Sequence, residues 1–308
     1  MLKRRSRQFV LNLLITAILS LPIVWYGFAQ WSRPPRSPAA RSLFEGIRYE
    51  RQVLSVPRPV MVHIVAIDLA APSVRPFVTP GFLAEPWWGS NSSAMTVTEF
   101  VAQFKLQVAI NANFFHPFME NKPWDFYPDS GDPVHNIGQA TSNGLTYSRG
   151  KPGRPAICFL DHNRVQMVAM GLCPKETQQA VAGKEMLVEH GQIVQQSAET
   201  LKGDKSYPRS LVAIDQSGQK LWLIAVDGKQ FEYSEGLKLT EMADFVLKLG
   251  ADAAINLDGG GSVTLAVQAL KEVKVLNAPI QTRIPMRERP VSNQLGFFAN
   301  PLPSERHS

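Results

Sequence analysis

The run with the clearest chemical potential is AINLDGGGS at 254–262, where an acidic residue precedes three glycines. Gly259, Gly260 and Gly261 allow the backbone to approach a ligand closely and can turn successive N–H groups toward an anion. Asp258 would face the same ligand. The run has no lysine before Ser262 and is not GxGxxG, so it supports nucleotide binding only weakly. A tight turn that needs flexible residues is the structural alternative.

A second cluster, INANFFHP at 110–117, places two amides and an imidazole after a predicted buried strand. Side chains such as Asn111 and Asn113 suit recognition of sugar hydroxyls, although asparagines also open ordinary loops. The six histidines show no metal-ligand spacing, which argues against a zinc hydrolase. No metal site is assigned from the sequence.

A third candidate is Arg209 in the segment YPRS at 207–210, directly before an apolar strand at 211–214. An arginine fixed at the entrance of a strand can hold a phosphate group with two parallel hydrogen bonds. A solvent-exposed arginine is the alternative interpretation.

Several elements must position these residues. A strand is predicted over 60–69, and a helix begins at Thr96, where Thr96 and Glu99 form a capping box and apolar residues follow at helical spacing. A strand at 107–111 comes next. Together these elements bring the asparagine cluster to a strand end.

Two later apolar runs, 221–226 and 253–257, have strand length, and each ends on an acidic residue, Asp227 or Asp258. Between them Thr240 is predicted to cap a helix whose apolar face is formed by Met242, Phe245, Val246 and Leu249, and Gly250 ends it. A strand, a helix and a strand form a βαβ-like unit, with its chemistry at the strand ends. The predicted fold class is α+β, a mixed β-sheet core with a few packed helices, preceded by an N-terminal hydrophobic helix.

Composition sets the class of protein. The chain has 308 residues, of which 44% are hydrophobic and 19% charged, and this excludes a disordered chain. Seven of the 32 Lys and Arg residues lie in the first 41 residues, which hold no Asp or Glu. The remainder carries 25 basic and 26 acidic residues. A nearly neutral body lacks the basic footprint of a nucleic-acid-binding protein.

The N-terminal segment predicts export. Four cations in the first seven residues precede an apolar run over 9–31, which places the body outside the cytoplasm by the positive-inside rule. Residues 1–31 form either a cleaved signal peptide or a single transmembrane anchor. A tether rich in proline and arginine is expected at 32–45, one folded domain at 46–300 and a short tail at 301–308.

An exported body favours a disulfide between Cys158 and Cys173, the two cysteines of the chain. Each lies at the end of an apolar run, as expected for neighbouring strands of a hairpin. Two buried thiols are the alternative.

Motifs spread over most of the body carry a family resemblance. The segments DGK at 227–229, SEG at 234–236, LTEMADFVLK at 239–248 and AINLDGGGSVT at 254–264 are similar to the signature of the phosphodiester glycosidase family, and the resemblance spans roughly residues 60–299. Upstream, 111–115, 143–144 and 207–210 are similar to further family motifs, and RPVSN at 289–293 is similar to its closing segment. Ala112 and Asn113 stand where the family usually has two glycines, which is expected to change the mouth of the pocket.

The resemblance implies hydrolysis of a sugar-1-phosphodiester, with a sugar such as N-acetylglucosamine released and a phosphomonoester left. Asp258 is then the first choice for the catalytic carboxylate, with Asp227 and Glu241 as second choices. Arg209 and the amides of the three glycines would hold the departing phosphate. The expected contacts to substrate hydroxyls or supporting positions are Asn111, Asn113, Asn256, Ser262 and Thr264.

Two other functions are kept open. A non-catalytic module that binds anionic glycans could use the same pocket, and it would release no sugar. A phosphodiesterase that cleaves the P–O bond would usually need two metals, and the chain lacks the spacing for them. No cofactor is expected, and a role for a divalent ion is left open.

Overall fold

The structure, a computed structural model, describes residue 16, residues 20–83 and residues 91–303. Helical residues 20–31 form α1. The later helices are α2 (Val97–Phe104), α3 (Ala198–Lys202) and α4 (Leu239–Leu249), and 3₁₀ turns lie at Asp161–Asn163, Gly260–Ser262 and Gln281–Arg283.

Strands account for most of the regular structure. They are β1 (Ala39–Phe44), β2 (Ile47–Leu54), β3 (Val60–Asp68), β4 (Arg75–Val78), β5 (Ser92–Ser93), β6 (Val108–Asn111), β7 (Phe115–His116), β8 (Met119–Lys122), β9 (Asp125–Tyr127), β10 (Pro133–Asn136), β11 (Ala140–Ser142), β12 (Leu145–Ser148), β13 (Ala156–Phe159), β14 (Val165–Val168), β15 (Gln179–Ala182), β16 (Glu185–Glu189), β17 (Gln192–Ile193), β18 (Arg209–Ile214), β19 (Lys220–Val226), β20 (Ala253–Asn256), β21 (Leu265–Gln268), β22 (Val273–Val275) and β23 (Gln294–Phe298).

The largest sheet has eight strands in the order β1-β2-β3-β19-β18-β20-β16-β17. Two five-stranded sheets have the orders β22-β21-β6-β23-β4 and β12-β11-β15-β13-β14. The α+β class is confirmed. Adjacent named strands of the described residues pair antiparallel, however, so the parallel ladders that a mixed sheet would contain are not found there.

The predicted βαβ-like unit consists of β19, α4 and β20. Both strands pair antiparallel with β18, which lies between them, so β19 and β20 run in the same direction. The ends of β19 and β20 and the start of β18 therefore meet at one edge of the sheet. The backbones of Asp227, Asp258 and Arg209 therefore lie at the same edge of the sheet, although they come from distant parts of the sequence.

The core lies on both faces of the large sheet. On one face, Met242 and Val246 of α4 pack against strand residues such as Leu211 and Ile224. On the other face, residues such as Val212 pack against the five-stranded sheets. Because the sheet is covered on both sides by apolar side chains, the polar groups at its edge are held on a rigid base.

The predicted start of α2 is correct, and the predicted start of α4 is wrong. Thr96 caps α2, and the capping box with Glu99 is confirmed. Thr240 is not the cap of α4: the helix begins at Leu239, and the backbone N–H groups of Leu239 and Thr240 donate to the Asp204 carboxylate at 2.7 and 3.3 Å. A carboxylate from a distant loop thus supplies the cap.

The termini fall partly outside the described residues. The predicted signal peptide or anchor at 1–31 lies there except for residue 16 and α1, as do residues 304–308 of the predicted tail. In the described part of the chain, no helix is both long and apolar enough to cross a membrane. Residues Ala39–Phe44, inside the predicted tether, form β1 and pair with β2.

The predicted disulfide between Cys158 and Cys173 is confirmed, with 5.7 Å between the two Cα atoms. Cys158 lies on β13, which pairs with β14, and Cys173 follows β14. The bond therefore links β13 to the segment that follows β14.

Candidate active site

A cleft of about 670 Å³ opens at the edge of the large sheet where β18 starts and β20 ends. Both residues chosen first from the sequence, Asp258 and Arg209, line it. Its other lining residues are Phe114, Phe115, Phe118, Lys184, Glu185, Glu199, Thr200, Gly203, Tyr207, Leu239, Asn256, Gly259 and Arg289.

Asp258 is held by its own backbone just after β20. Its N–H donates to the carbonyl of Ala112 at 2.9 Å, and its carbonyl accepts from the side chain of Asn111 at 2.7 Å. Burial raises the pKa of the Asp258 carboxyl to about 6, against the opposing effects of the Ser262 hydroxyl and the Arg289 charge. The carboxyl therefore changes its charge near neutral pH.

The glycine turn, residues 258–262, is packed against protein on both sides. A Cβ atom on Gly259 would lie 2.8 Å from the carbonyl oxygen of Pro208, and one on Gly261 would lie 2.5 Å from Nη2 of Arg289. Gly260 has a φ of +67°. The glycines are thus required by close contacts within the protein as well as by the turn.

This packing corrects one expectation about the glycine amides. The N–H of Gly260 donates to the carbonyl of Pro208 at 2.9 Å, so it is not directed at an anion. Gly259 lines the cleft, and its N–H interacts with the Asp258 carboxyl.

Arg289 is the main site residue that the sequence analysis did not choose. Its guanidinium is buried, donates to the Ser262 hydroxyl at 3.1 Å, and pairs with Glu120. It also lies 4.3 Å above the ring of Phe118. The available signal was its place in the closing segment RPVSN, but nothing local in that segment indicates where the side chain goes.

Arg209 lines the cleft with many of its donors engaged. Nη2 lies 3.4 Å from the Asp204 carboxylate and 3.2 Å from the carbonyl of Lys205, and Nε donates to the carbonyl of Leu237 at 3.3 Å. These contacts fix the guanidinium at the start of β18. The solvent-exposed alternative is wrong, since the side chain is 12% exposed.

Glu185 is a second carboxyl in the cleft that the sequence analysis did not identify. It begins β16, directly opposite Asn256 of β20. One of its oxygens accepts from the Asn256 amide at 2.7 Å, and the other lies 3.2 Å from Nζ of Lys184. Asn256 is buried and its Oδ1 has no hydrogen-bond partner within the described protein. Only the cross-strand register reveals this pair.

Asp227 does not line the cleft. It is buried, one oxygen lies 3.0 Å from Nε2 of His63, and the other accepts from the amide of Asn277 and the N–H of Ala278. The amide of Asn277 also donates to the carbonyl of Val263. These contacts give Asp227 a supporting position behind the glycine turn.

Glu241 also lies outside the cleft. It pairs with Arg58 and accepts from the backbone N–H of Lys238 at 2.8 Å, in the first turn of α4. A carboxylate at this position stabilises the positive end of the helix dipole. The alternative kept for Glu241, a helix-dipole partner, fits these contacts.

The asparagines of the second cluster are engaged within the protein. The oxygen of Asn111 accepts from the Ser210 hydroxyl at 2.6 Å and the Thr264 N–H at 3.2 Å. Asn113 donates to the carbonyls of Ile137 and Gln139 and accepts from the N–H of Ala182. Both asparagines are buried, and Asn113 does not line the cleft. The expectation that Asn113 changes the mouth of the pocket is therefore wrong.

Two further predicted residues lie at the end of the turn and just after it. Ser262 is buried beside Asp258 and accepts from Arg289. Thr264 is buried behind the turn and does not line the cleft. Within the described part of the chain, no three His, Cys, Asp or Glu side chains are grouped to hold a metal.

The fold and site define a class of protein: an α+β fold with antiparallel sheets whose edge cleft combines a carboxyl with guanidinium groups. Residues 104–298 match the family model described as phosphodiester glycosidase. Because this match spans more than half of the chain, the chain belongs to the phosphodiester glycosidase family, as its motifs predicted.

Individual proteins match this chain either over a short stretch or at low sequence identity. A stretch of 59 residues is 48% identical to N-acetylglucosamine-1-phosphodiester alpha-N-acetylglucosaminidase of Bos taurus, and it covers 19% of this chain and 11% of the bovine protein. A hypothetical protein from Synechocystis superposes with a TM-score of 0.64 at 16% identity, over 87% of this chain and 64% of that one.

The catalytic domain of the zebrafish N-acetylglucosamine-1-phosphodiester alpha-N-acetylglucosaminidase, solved auto-inhibited by its pro-peptide, superposes with a TM-score of 0.55 at 20% identity. The match covers 89% of this chain and 93% of that domain. At these identities the two structural matches show the fold alone.

Proposed function

We propose that this chain is a hydrolase that cleaves the glycosidic bond of a sugar-1-phosphodiester, releasing the sugar and leaving a phosphomonoester. The observation that carries the proposal is that Asp258, Arg209 and Arg289 line one cleft. Membership of the phosphodiester glycosidase family gives that arrangement its reaction class.

The carboxyl of Asp258 supplies the nucleophile or the base. In its ionised form it either attacks the anomeric carbon, forming a glycosyl ester that water then hydrolyses, or takes a proton from a water that attacks that carbon directly. The bond between the anomeric carbon and the ester oxygen breaks, and the electron pair leaves with the phosphate. Since a phosphate departs as a stable anion, little help from an acid is required.

The arginines stabilise the charge that develops on the leaving group. Fixed cations in a desolvated cleft stabilise such charge without reorganising, and this is often the largest contribution to catalysis. Arg209 is fixed by Asp204 and backbone carbonyls, and Arg289 by Ser262, Gln281 and Glu120. Both guanidinium groups are therefore pre-organised.

We further propose an N-acetylglucosamine-like sugar. The names of the bovine and zebrafish proteins support it. The lining of the cleft also includes Phe114, Phe115 and Phe118, which suit the apolar face of a sugar ring, and the polar pair Glu185 and Asn256, which suits its hydroxyls.

An extracytoplasmic location completes the proposal. The disulfide between Cys158 and Cys173 supports it, because such bonds persist in oxidising compartments. The charged and apolar pattern of residues 1–31 points the same way.

The test is to incubate the protein with an alkyl phosphodiester of N-acetylglucosamine and to measure free sugar and phosphomonoester. The wild type should release both products, and Asp258→Asn should release neither. Asp244→Asn is the matched control, since Asp244 is exposed on α4 away from the cleft. Binding of the diester without release of sugar would favour a glycan-binding module instead.

A further inference from the structure

Three cationic side chains surround the ring of Tyr207 on the wall of the cleft. Nζ of Lys229 lies 4.3 Å from the ring centroid and donates to the tyrosine hydroxyl at 3.0 Å. Nζ of Lys205 lies 5.6 Å from the same centroid, and the guanidinium carbon of Arg209 lies 5.5 Å from it. The aromatic ring thus gathers three positive charges at one place.

The ring stands directly beside the glycine turn. A Cβ atom on Gly260 would lie 2.8 Å from the hydroxyl oxygen of Tyr207. Tyr207 and Arg209 line the cleft, whereas Lys205 and Lys229 are exposed and do not. Positive charge therefore continues from Arg209 inside the cleft to the two lysines at its rim.

Only one of these three cations is paired with an acidic side chain among the described residues. Arg209 is paired with Asp204 at 3.4 Å. None of the ion pairs formed between described residues includes Lys205 or Lys229. Two exposed ammonium groups beside one tyrosine ring, one of them bonded to its hydroxyl, offer several charge-assisted hydrogen bonds to a phosphate.

We propose that Lys205, Lys229 and the hydroxyl of Tyr207 bind a second phosphate, carried by the alcohol portion of the substrate. The inference rests on the proposed function and narrows its substrate class. The substrate is a sugar-1-phosphodiester whose leaving group bears a further phosphate, as in a repeating chain linked by phosphates. The first phosphate is held inside the cleft and the second at the rim.

A binding experiment tests the rim without requiring turnover. Calorimetry compares propane-1,3-diyl bisphosphate with propyl phosphate at constant ionic strength, on the wild type and on Lys205→Gln/Lys229→Gln. The wild type should bind the bisphosphate about tenfold more tightly, and the double variant should lose most of that preference. Lys271→Gln, at an exposed lysine between β21 and β22, should keep it.

A kinetic experiment tests its role in the reaction. Two diesters of α-N-acetylglucosamine 1-phosphate are compared, one with propanol and one with 3-phosphopropanol. The double variant should lose about fivefold to tenfold in kcat/KM on the second diester and little on the first, and Lys229→Arg should retain the preference.

The outcomes separate the two proposals. Equal losses on both diesters would mean that the lysines only attract anions in general, and they would overturn the second-phosphate site. Equal binding of the two probes by the wild type would overturn it as well. If neither diester releases sugar, the proposed function fails, and the binding comparison still decides whether the rim holds a second phosphate.

Discussion

Asn111 donates its side-chain amide to the backbone carbonyl of Asp258 over 2.7 Å. The oxygen of the same side chain accepts from Ser210 on β18 and from the N–H of Thr264 just before β21. One buried asparagine thus ties the end of β20 to two other strands. The carboxyl that we propose to be catalytic is thus positioned by a side chain that comes from a different sheet.

Asn111→Ala should destabilise the protein and slow turnover. The substitution leaves the N–H of Thr264 and the hydroxyl of Ser210 buried without their partner, which costs about 2–4 kcal/mol. Urea unfolding measures the stability, and release of sugar measures turnover in the folded fraction. Asn300→Ala, at an exposed residue, is the control and should change stability by less than about 0.5 kcal/mol. Unchanged stability in Asn111→Ala would contradict the anchoring role.

Asp258→Asn should stabilise the protein above pH 6 although it abolishes activity. The folded state raises the pKa of this carboxyl to about 6, so it retains a proton that the unfolded chain releases near pH 4. Stability due to this group is therefore present below pH 4 and is lost as the pH rises to 6.

In Asp258→Asn the side chain does not ionise, so the variant avoids this loss of stability. Its free energy of unfolding should exceed that of the wild type by about 1–3 kcal/mol at pH 7.5. Little change is expected at pH 4. Thermal unfolding at the two pH values measures the difference. A gain of the same size at both pH values would show that the effect is not electrostatic.

The pH dependence of kcat/KM should report the same carboxyl. Because the ionised form of Asp258 is required, activity should fall as the pH drops through about 6. The hydrogen bond from Ser262 lowers this pKa, so Ser262→Ala should move the acidic limb to higher pH. Ser217→Ala, in an exposed turn, should leave the limb in place. A limb that moves to lower pH in Ser262→Ala would remove Asp258 from the ionisation that controls the rate.

Arg209→Ala and Arg289→Ala should affect charged substrates far more than neutral ones. The diester carries the negative charge that these guanidinium groups hold, so each variant should lose about 10²–10³-fold in kcat on it. A neutral aryl glycoside of the same sugar should lose less than about tenfold. Arg48→Ala, at an exposed arginine, should match the wild type on both. Equal losses on the two substrates would assign the arginines to structure.

Sequence patterns predicted the helix ends correctly where the capping residues are close to the helix in sequence. The capping box of Thr96 and Glu99 fixes the start of α2, and Gly250 ends α4 in the left-handed conformation. The start of α4 was missed by two residues because its cap, Asp204, is distant in sequence. When the capping residue comes from another loop, the sequence of the helix contains no signal for its start.

The candidate site was predicted only in part, because some of its residues carry a local sequence signal and others do not. Asp258 and Arg209 stand next to recognisable strands, so their positions at strand ends could be anticipated. Arg289 and Glu185 enter the cleft through packing and cross-strand register, which no short motif encodes. Asp227 was a second choice after Asp258, since each acid follows an apolar strand. The structure separates them, because Asp227 is buried against His63 and Asn277.

The sequence by itself determined the family, the α+β class, the disulfide and the carboxyl beside the glycines, because each depends on residue types at short spacing or on a motif. Tertiary structure decided which charged groups share the cleft and what burial does to their pKa. Those properties depend on which strands become neighbours and in what register. A pairing such as Glu185 opposite Asn256 arises only when distant strands meet in one sheet.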